Sequence, residues 1–282
     1  MSDDTAAHPV QVGPVTLQQA LATDGARRVI LTVSYLFCLV GALACFGVID
    51  DAARPLSTAL SPTASLLAPA LLAHRLWWVV MVGLGIYAAW MWLPVNVSEP
   101  RGRAIAYPAA IALALLGVWF FIARTGGYVV VTVASFVVVA ALTWTLQVAG
   151  TVPSRHILGR QFTQVGLSVT LGWMSVLAAD TFAAALAAHH VRAIWISAET
   201  WGIIATTALL GFGMALLRYL PGRLYIASAM AWGFFWIAYG RVLGEPKAYA
   251  LAVVALISSV LVFIAGVAVF LWARGRPRAR VS

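Results

Sequence analysis

One carboxylate lies within a stretch that is long and apolar enough to cross a bilayer. The stretch is GLSVTLGWMSVLAADTFAAALAAHH, residues 166–190, and the carboxylate belongs to Asp180. A charge that faces hydrocarbon costs about 2.5 kcal/mol or more, so this side chain should face the helix bundle, either paired or protonated. Helical geometry places Trp173 and Asp180 on one face. Two roles stay open for Asp180: an interhelical hydrogen-bonding group, or a ligand or proton site.

Tryptophan is the second chemically informative residue type, with 12 copies in 282 residues. Most of them fall near the predicted membrane boundaries, where indole rings anchor helices. These nine are Trp77, Trp78, Trp90, Trp92, Trp119, Trp144, Trp195, Trp201 and Trp272. The other three, Trp173, Trp232 and Trp236, lie at membrane depth, where an indole either packs against another helix or lines a ligand site.

A single ligand site in the outer half of the membrane would bring together eight side chains. These candidates are Trp77, Trp78, Trp119, Trp173, Asp180, Glu199, Trp232 and Trp236. They converge only if the second, third, fifth, sixth and seventh helices surround one cavity, with the loop of residues 50–69 above it. Such a cavity would be apolar and aromatic, with one carboxylate to orient the ligand. The alternative is that the tryptophans pack separately and no cavity exists.

The sequence contains none of the motifs that mark common soluble enzymes. It has no GxSxG, no HExxH, no paired cysteine motif and no phosphate-binding glycine loop. His189 and His190 are adjacent and therefore point to different faces of a helix, which makes a poor metal site. We therefore predict a protein that is not an enzyme, with no catalytic residues and no metal.

The composition is that of a membrane protein. Hydrophobic residues make up 62% of the chain and charged residues 10%, and the mean hydropathy is +0.93. Eight apolar runs approach the roughly 20 residues that a transmembrane helix needs. They cover residues 28–48, 71–93, 105–123, 128–148, 165–188, 198–217, 224–238 and 249–272. The predicted fold is an all-α polytopic membrane bundle of about eight helices; because the seventh run is short, seven helices is the alternative.

Arginine placement predicts the orientation, since Lys and Arg accumulate in cytoplasmic loops. With eight helices and a cytoplasmic N-terminus, 12 of the 18 basic residues fall on the inner side and six on the outer side. The predicted domains are a polar cytoplasmic segment (1–27), a transmembrane domain (28–272) and a basic cytoplasmic tail (273–282). The arginines are spread over membrane-flanking turns rather than along a basic stripe, which argues against nucleic-acid binding despite the net charge of +9.

Several short motifs resemble the TspO/MBR family, the tryptophan-rich sensory proteins. LGWMSVLAADTFAAAL is similar to the fifth helix of that family, with Gly172 and Trp173 matching and Asp180 in place of an asparagine. The stretch from Ser61 to Pro94 is similar to the first loop and second helix. In it Ser61, Pro62, Trp77 and Pro94 match, while His74 replaces a phenylalanine. LLGVWFF keeps Trp119 and has Leu116 in place of an asparagine.

The resemblance covers residues 29–190 and implies a five-helix core with three extra helices. It also implies binding of a planar hydrophobic molecule such as a tetrapyrrole, a sterol or a lipid-like compound, with the first loop covering the pocket. The three departures, at His74, Leu116 and Asp180, weaken the expectation of tetrapyrrole chemistry. We expect the lipid bilayer and a hydrophobic small molecule as partners, and leave a homodimer open.

A competing organisation is a duplication of four helices, because GLGIYAAWMWLP at 83–94 is echoed by GFGMALLRYLP at 211–221. Such a duplication is typical of transporters. Three function classes therefore stay open: a TspO-like sensor or carrier, a proton-coupled transporter that uses Asp180, and a structural or partner-binding membrane protein.

Overall fold

The structure is a computed structural model that describes residues 17–49, 58–93, 99–125, 127–154, 157–189, 196–220 and 223–275. Several predictions fall outside these residues: those on the first part of the 50–69 loop, on Pro94, Arg155, Trp195 and His190, and on most of both termini.

The described residues form eight long helices and no strand. The helices are α1 (Leu17–Cys45), α2 (Leu76–Trp90), α3 (Pro100–Thr125), α4 (Tyr128–Thr151), α5 (Ile157–Ala188), α6 (Ala198–Tyr219), α7 (Arg223–Leu243) and α8 (Tyr249–Gly275). All eight are long and apolar enough to cross a membrane, α2 together with the short 3-10 helix that leads into it. The prediction of an all-α membrane bundle with eight helices is confirmed.

The helix ends differ from the predicted ones for identifiable reasons. The sequence predicts that the seventh apolar run ends at residue 238, before Arg241, yet α7 continues to Leu243 and buries Arg241 completely. At the other end of the chain, α1 begins at Leu17, inside the segment predicted to be a polar extension. Helices often continue beyond the hydrocarbon layer, so the number of consecutive apolar residues gives the length of the membrane span and not that of the helix.

The first five helices form a closed ring. α1 packs on α3, α3 on α4, α4 on α5, α5 on α2, and α2 on α1. Glycines permit the close crossings: a Cβ on Gly41 would lie 2.9 Å from the carbonyl oxygen of Gly117, and one on Gly166 would lie 2.9 Å from the carbonyl carbon of Gly83. Small residues at such crossings let membrane helices approach until their backbones touch.

The last three helices form a second unit that joins the ring mainly along one seam, where α7 meets α5. α7 packs on both α8 and α6, α6 packs on α8, and α7 packs on α5 of the ring. The seam has a glycine on each side, because Gly172 of α5 faces Ile226 and Gly233 of α7 faces Val176. In the first half α1 packs on α3 and α3 on α4, and in the second half α5 packs on α7 and α7 on α8. The contact of α6 with α8 is a further one, and the duplication of four helices stays a prediction.

Candidate functional site

The chain between α1 and α2 enters the bundle at the end where α1 ends and α2 begins. We call residues 58–75 the α1–α2 segment. It begins with a 3-10 helix (Thr58–Leu60) and ends with another (Leu71–Arg75) that runs directly into α2. Its residues Ala59, Leu60, Leu67 and Ala68 are almost completely buried, and it packs against α4, α5 and α7. The segment is therefore part of the bundle and not a surface loop.

Asp180 is bound by this segment. Its side chain is completely buried, and the Ser65 hydroxyl donates a hydrogen bond of 2.8 Å to Asp180 Oδ1. Ser65 Oγ also accepts the backbone N–H of Leu67 at 3.0 Å, which fixes the turn that presents the hydroxyl. Asp180 Oδ2 has no hydrogen-bond partner among the described residues. The carboxylate thus keeps one free acceptor at membrane depth.

A buried arginine holds the same segment from the other side. Arg241 in the last turn of α7 donates through Nη2 to the carbonyl oxygens of Pro62 (2.8 Å) and Ala68 (3.4 Å), and through Nη1 to Pro246 (3.1 Å). Arg241 also attracts Asp180 electrostatically, but the two side chains form no ion pair within 4 Å. The α1–α2 segment is therefore tied to α5 by Ser65 and to α7 by Arg241.

Three of the predicted tryptophans form one packed cluster inside the ring. Trp77 lies 5.6 Å from Trp119 and 6.5 Å from Trp173, measured between ring centroids. Phe120 fills the space beside Trp77 at 4.7 Å, and His74 meets the Trp173 ring edge-on at 5.6 Å. These aromatic side chains touch one another, so they fill the centre of the five-helix ring.

The Trp119 indole has a structural partner. It donates its N–H to Ser135 Oγ of α4 at 2.7 Å, and Thr132 of the same helix donates to the carbonyl oxygen of Thr181 on α5 at 2.8 Å. A line of hydrogen bonds therefore joins α3, α4 and α5 beside the aromatic cluster. By contrast, Trp173 Nε1 and both ring nitrogens of His74 lack partners among the described residues.

The remaining predicted tryptophans of α7 form a second cluster. Trp232 and Trp236 lie 5.5 Å apart, and Trp236 also contacts Phe235 and Tyr239. Trp232 donates its indole N–H to the carbonyl oxygen of Ala73, at 3.0 Å, and Ala70 donates its backbone N–H to the carbonyl oxygen of Trp236 at 3.1 Å. This cluster thus supports the α1–α2 segment.

A large groove lies on the side of α5 that faces away from the ring centre. It has a volume of about 930 Å³ and runs between α4 and α6, with α5 as its floor; we call it the α4–α6 groove. Residues 65–67 of the α1–α2 segment form one end of the groove. The aromatic side chains that line it are Phe136, Trp144, Phe182, Trp201 and Phe212, and most of the other lining residues are alanine or aliphatic. Its polar lining side chains are Ser65, Thr143, Gln147 and Ser175.

The comparison with family models identifies the fold. The model described as TSPO-like protein matches residues 28–269. The match includes α2 to α7 completely and leaves out the beginning of α1 and the end of α8. This chain belongs to the TSPO-like protein family. No curated protein and no solved structure matches the chain. The resemblance of short motifs ends at residue 190, whereas the family match continues to residue 269. The TSPO-like family model therefore also covers the three added helices.

The eight candidate residues of this TSPO-like protein do not occupy one place. Trp77, Trp119 and Trp173 lie together in the ring, and Trp232 and Trp236 lie together on α7. Trp78 is 46% exposed on the outer surface of the bundle, beside Phe46. Glu199 accepts the backbone N–H groups of Ala250 and Leu251 and so caps α8. None of the eight lines the α4–α6 groove; a common binding role for them stays a prediction.

Sequence reasoning missed the residues that surround Asp180 in the TSPO-like fold. Ser65 is 115 positions earlier in the chain, and Arg241 lies beyond the end of the seventh predicted span. Trp144 and Trp201 were assigned to the boundary belts, whereas both line the groove. One feature of the sequence pointed to the α1–α2 segment: Ser61 and Pro62 belong to the family motif that precedes the second helix.

Substitutions of Asp180 should separate the roles that the sequence left open. Asp180→Asn keeps an oxygen that accepts from Ser65, so we expect folding and ligand binding within about threefold of wild type if the side chain serves only as a hydrogen-bond acceptor. Asp180→Leu leaves Ser65 without its acceptor and should cost about 1–3 kcal/mol. Thermal unfolding in detergent measures both. Loss of proton-linked substrate uptake in a well-folded Asp180→Asn protein would instead show a proton site.

Proposed function

We propose that this TSPO-like membrane protein binds a hydrophobic small molecule of the tetrapyrrole, sterol or lipid-like kind, as a sensor or carrier and not as an enzyme. The observation that carries the proposal is the α4–α6 groove. Its volume of about 930 Å³ is in the range of small-molecule sites, and it combines an apolar, aromatic lining with a few polar groups. The body of the ligand lies between α4 and α6, and Ser65, backed by Asp180, provides a polar contact.

The groove also fits the way the chain is built. Its floor is α5, the most buried of the helices, and its two walls come from the ring and from the three added helices. A ligand in the groove would therefore touch both units of the bundle. Such a position lets occupancy influence how the two units pack, which is what a sensor requires.

Filling the groove should abolish binding without affecting the fold. Ala208 lines the groove from α6, and Ala208→Phe places a ring inside it. Ala215→Phe is the matched control, because Ala215 lies two turns further along the same helix and is exposed outside the groove. We expect saturable binding of cholesterol, protoporphyrin or a long-chain alcohol, whichever binds wild type, to weaken at least tenfold in Ala208→Phe only. Equal binding by both variants would show that the ligand occupies another site.

Native mass spectrometry of the purified protein would show whether a molecule remains bound. The same two variants serve as the comparison, since a groove ligand should copurify with wild type and Ala215→Phe and be absent from Ala208→Phe.

We further propose that both termini lie in the cytoplasm. Eight spans bring the two ends of the chain to one side, and the basic residues near the ends favour the inner side. A reporter that is active only in the cytoplasm should therefore be active when fused after Ser282, and also when inserted near Arg155. An external readout at Ser282 combined with an internal one near Arg155 would contradict this topology.

Arg241 supports proton-coupled transport as a second candidate function. Asp180 is the charged group predicted within the apolar spans, and the buried Arg241, in the last turn of α7, is a second one that attracts it electrostatically. Charged pairs inside transmembrane bundles often belong to proton or ion pathways. The uptake assay on Asp180→Asn decides between the two functions.

A further inference from the structure

We infer that the exposed surface of the α1–α3 pair binds one anionic phospholipid, with its phosphate group between Arg27 and Arg103 and an acyl chain along the line where the two helices meet. We call this surface the α1–α3 strip. It is separate from the α4–α6 groove, so the inference does not depend on the function proposed for that groove.

Arg27 of α1 and Arg103 of α3 converge on one carboxylate. Arg27 Nη1 donates to Asp24 Oδ1 at 3.2 Å, and Arg103 Nη2 donates to Asp24 Oδ2 at 3.0 Å. The Asp24 side chain is only 10% exposed, whereas the side chains of Arg27 and Arg103 are 27% and 44% exposed. Two guanidinium groups therefore lie side by side above one buried negative charge, which leaves one positive charge unbalanced.

The other charged residues at this end of the two helices do not balance that charge. Among the described residues they are Arg28, Glu99 and Arg101, which together add one further positive charge. The first turn of α3, residues 100–103, carries two of these arginines, although the positive end of a helix dipole disfavours positive side chains. An anion bound here would lower the repulsion.

Apolar and aromatic side chains continue the strip from both arginines. Exposed residues follow each arginine at intervals of three, four or seven, which places them on the same helix face. They are Ile30 and Phe37 in α1, and Tyr107, Ile111, Val118 and Phe121 in α3. The two faces lie side by side, because the Arg27 guanidinium lies over the Tyr107 ring at 5.7 Å and the Phe37 ring lies 5.6 Å from the Phe121 ring.

The strip is long enough for an acyl chain. Tyr107 and Phe121 are 14 residues apart in α3, which corresponds to about 21 Å at a rise of 1.5 Å per residue. The hydrocarbon of one leaflet is about 15 Å thick, half of the bilayer core. A phospholipid whose phosphate lies at the arginines can therefore keep its acyl chain on apolar side chains through its whole leaflet.

The charges favour a headgroup with net negative charge over a zwitterionic one. A guanidinium has five N–H donors, so its bond to Asp24 leaves others that can form charge-assisted hydrogen bonds with a phosphate. The choline group of phosphatidylcholine needs a carboxylate or an aromatic face. Both carboxylates at this end, Asp24 and Glu99, are buried, and the Tyr107 face is covered by Arg27. In the topology proposed above, this end lies in the leaflet that is rich in anionic lipids.

Lipid titration followed by native mass spectrometry tests the inference. Delipidated protein in a non-ionic detergent is titrated with dioleoylphosphatidylglycerol or dioleoylphosphatidylcholine, and the fractions of free and lipid-bound protein give the affinity for the first lipid. We expect phosphatidylglycerol to bind about fivefold more tightly or better, the factor that corresponds to about 1 kcal/mol per arginine. Inorganic phosphate, which has no acyl chain, should not displace it.

Arg27→Gln and Arg103→Gln should each weaken phosphatidylglycerol binding about fivefold and leave phosphatidylcholine binding unchanged. Arg28→Gln is the matched control, because it removes the same charge from the neighbouring position. Arg28 lies on a different face of α1, where Thr32, one turn further along, accepts the indole N–H of Trp92. Arg28→Gln should therefore bind phosphatidylglycerol like wild type.

Asp24→Asn should change binding in the opposite direction. It removes the buried negative charge and keeps both arginines, so phosphatidylglycerol should bind more tightly than to wild type. Arginines that served only to hold Asp24 would give unchanged or weaker binding, which contradicts the inference. Asp24→Asn and the wild-type comparison of the two lipids keep the inference testable if an arginine variant folds poorly.

The inference is overturned if Arg27→Gln and Arg103→Gln bind phosphatidylglycerol as tightly as Arg28→Gln does. It is also overturned if Ala208→Phe abolishes binding, because the lipid would then occupy the α4–α6 groove. A lipid-free dimer that disappears in Arg27→Gln and Arg103→Gln would show instead that a second copy of this chain covers the strip.

Discussion

Arg241→Met is expected to lower the free energy of unfolding by about 3 kcal/mol or more. The substitution leaves the carbonyl oxygens of Pro62, Ala68 and Pro246 without their donor, and removes a positive charge that attracts Asp180. Thermal unfolding in detergent measures the loss. Limited proteolysis should also cut faster within residues 61–70, because the α1–α2 segment is released from α7.

Arg75→Met is the matched control for Arg241. Arg75 belongs to the α1–α2 segment that Arg241 holds but is exposed, so its replacement should change stability by about 0.5 kcal/mol or less. Arg241→Lys should fall between the two, since a lysine keeps the charge but cannot reproduce the planar fork that reaches two segments at once. If Arg241→Met and Arg75→Met melt at the same temperature, the buried hydrogen bonds do not hold the segment.

Gly172→Ala is expected to weaken the seam between the ring and the three added helices, by about 1–3 kcal/mol. A Cβ at this position would lie 2.5 Å from the carbonyl oxygen of Ile226 and 2.9 Å from the Cβ of Ala229. The backbone of α7 cannot move aside as a flexible side chain could, so α5 and α7 must separate. Thermal unfolding and the yield of folded protein measure the effect.

Gly211→Ala should act in the opposite direction and serves as the control. Gly211 lies inside α6, and a Cβ there would meet no atom within 4 Å. Alanine favours a helix over glycine by up to about 1 kcal/mol, so Gly211→Ala should be neutral or stabilising. If the same Gly→Ala substitution lowers stability at Gly172 and does not lower it at Gly211, the close approach of α5 and α7, and not helix propensity, determines the change in stability. A stabilising Gly172→Ala would contradict the packing described for α5 and α7.

The helices could be predicted from sequence because hydrocarbon thickness imposes one length on every span. Predictions failed where a charge was buried: Arg241 ended the seventh apolar run early because its hydrogen-bond partners, Pro62 and Ala68, are more than 170 positions away in the chain. Local patterns carry no information on such partners. The same reason hid Ser65 as the partner of Asp180.

The candidate site was predictable only in part. The stripe of Trp173 and Asp180 on one face of α5 is buried as expected, because a lone carboxylate must avoid lipid. Which tryptophans pack together and which line a groove depends on helix neighbours, and the gap between α4 and α6 arises because α6 turns to α8 instead of closing on α4. Trp144 and Trp201 satisfy the pattern of boundary residues and also line that gap, so residue type and depth could not assign them.

The exposure of the α4–α6 groove at the side of the bundle affects how a bound molecule exchanges. Phe136, Trp144, Phe182 and Trp201 line the groove, are each 43–50% exposed, and belong to helices that are long and apolar enough to cross a membrane. A molecule held there exchanges by lateral diffusion within the leaflet and need not cross the aqueous phase. Its association rate then follows its mole fraction in the membrane, and its residence time is set by how readily neighbouring lipid chains take its place.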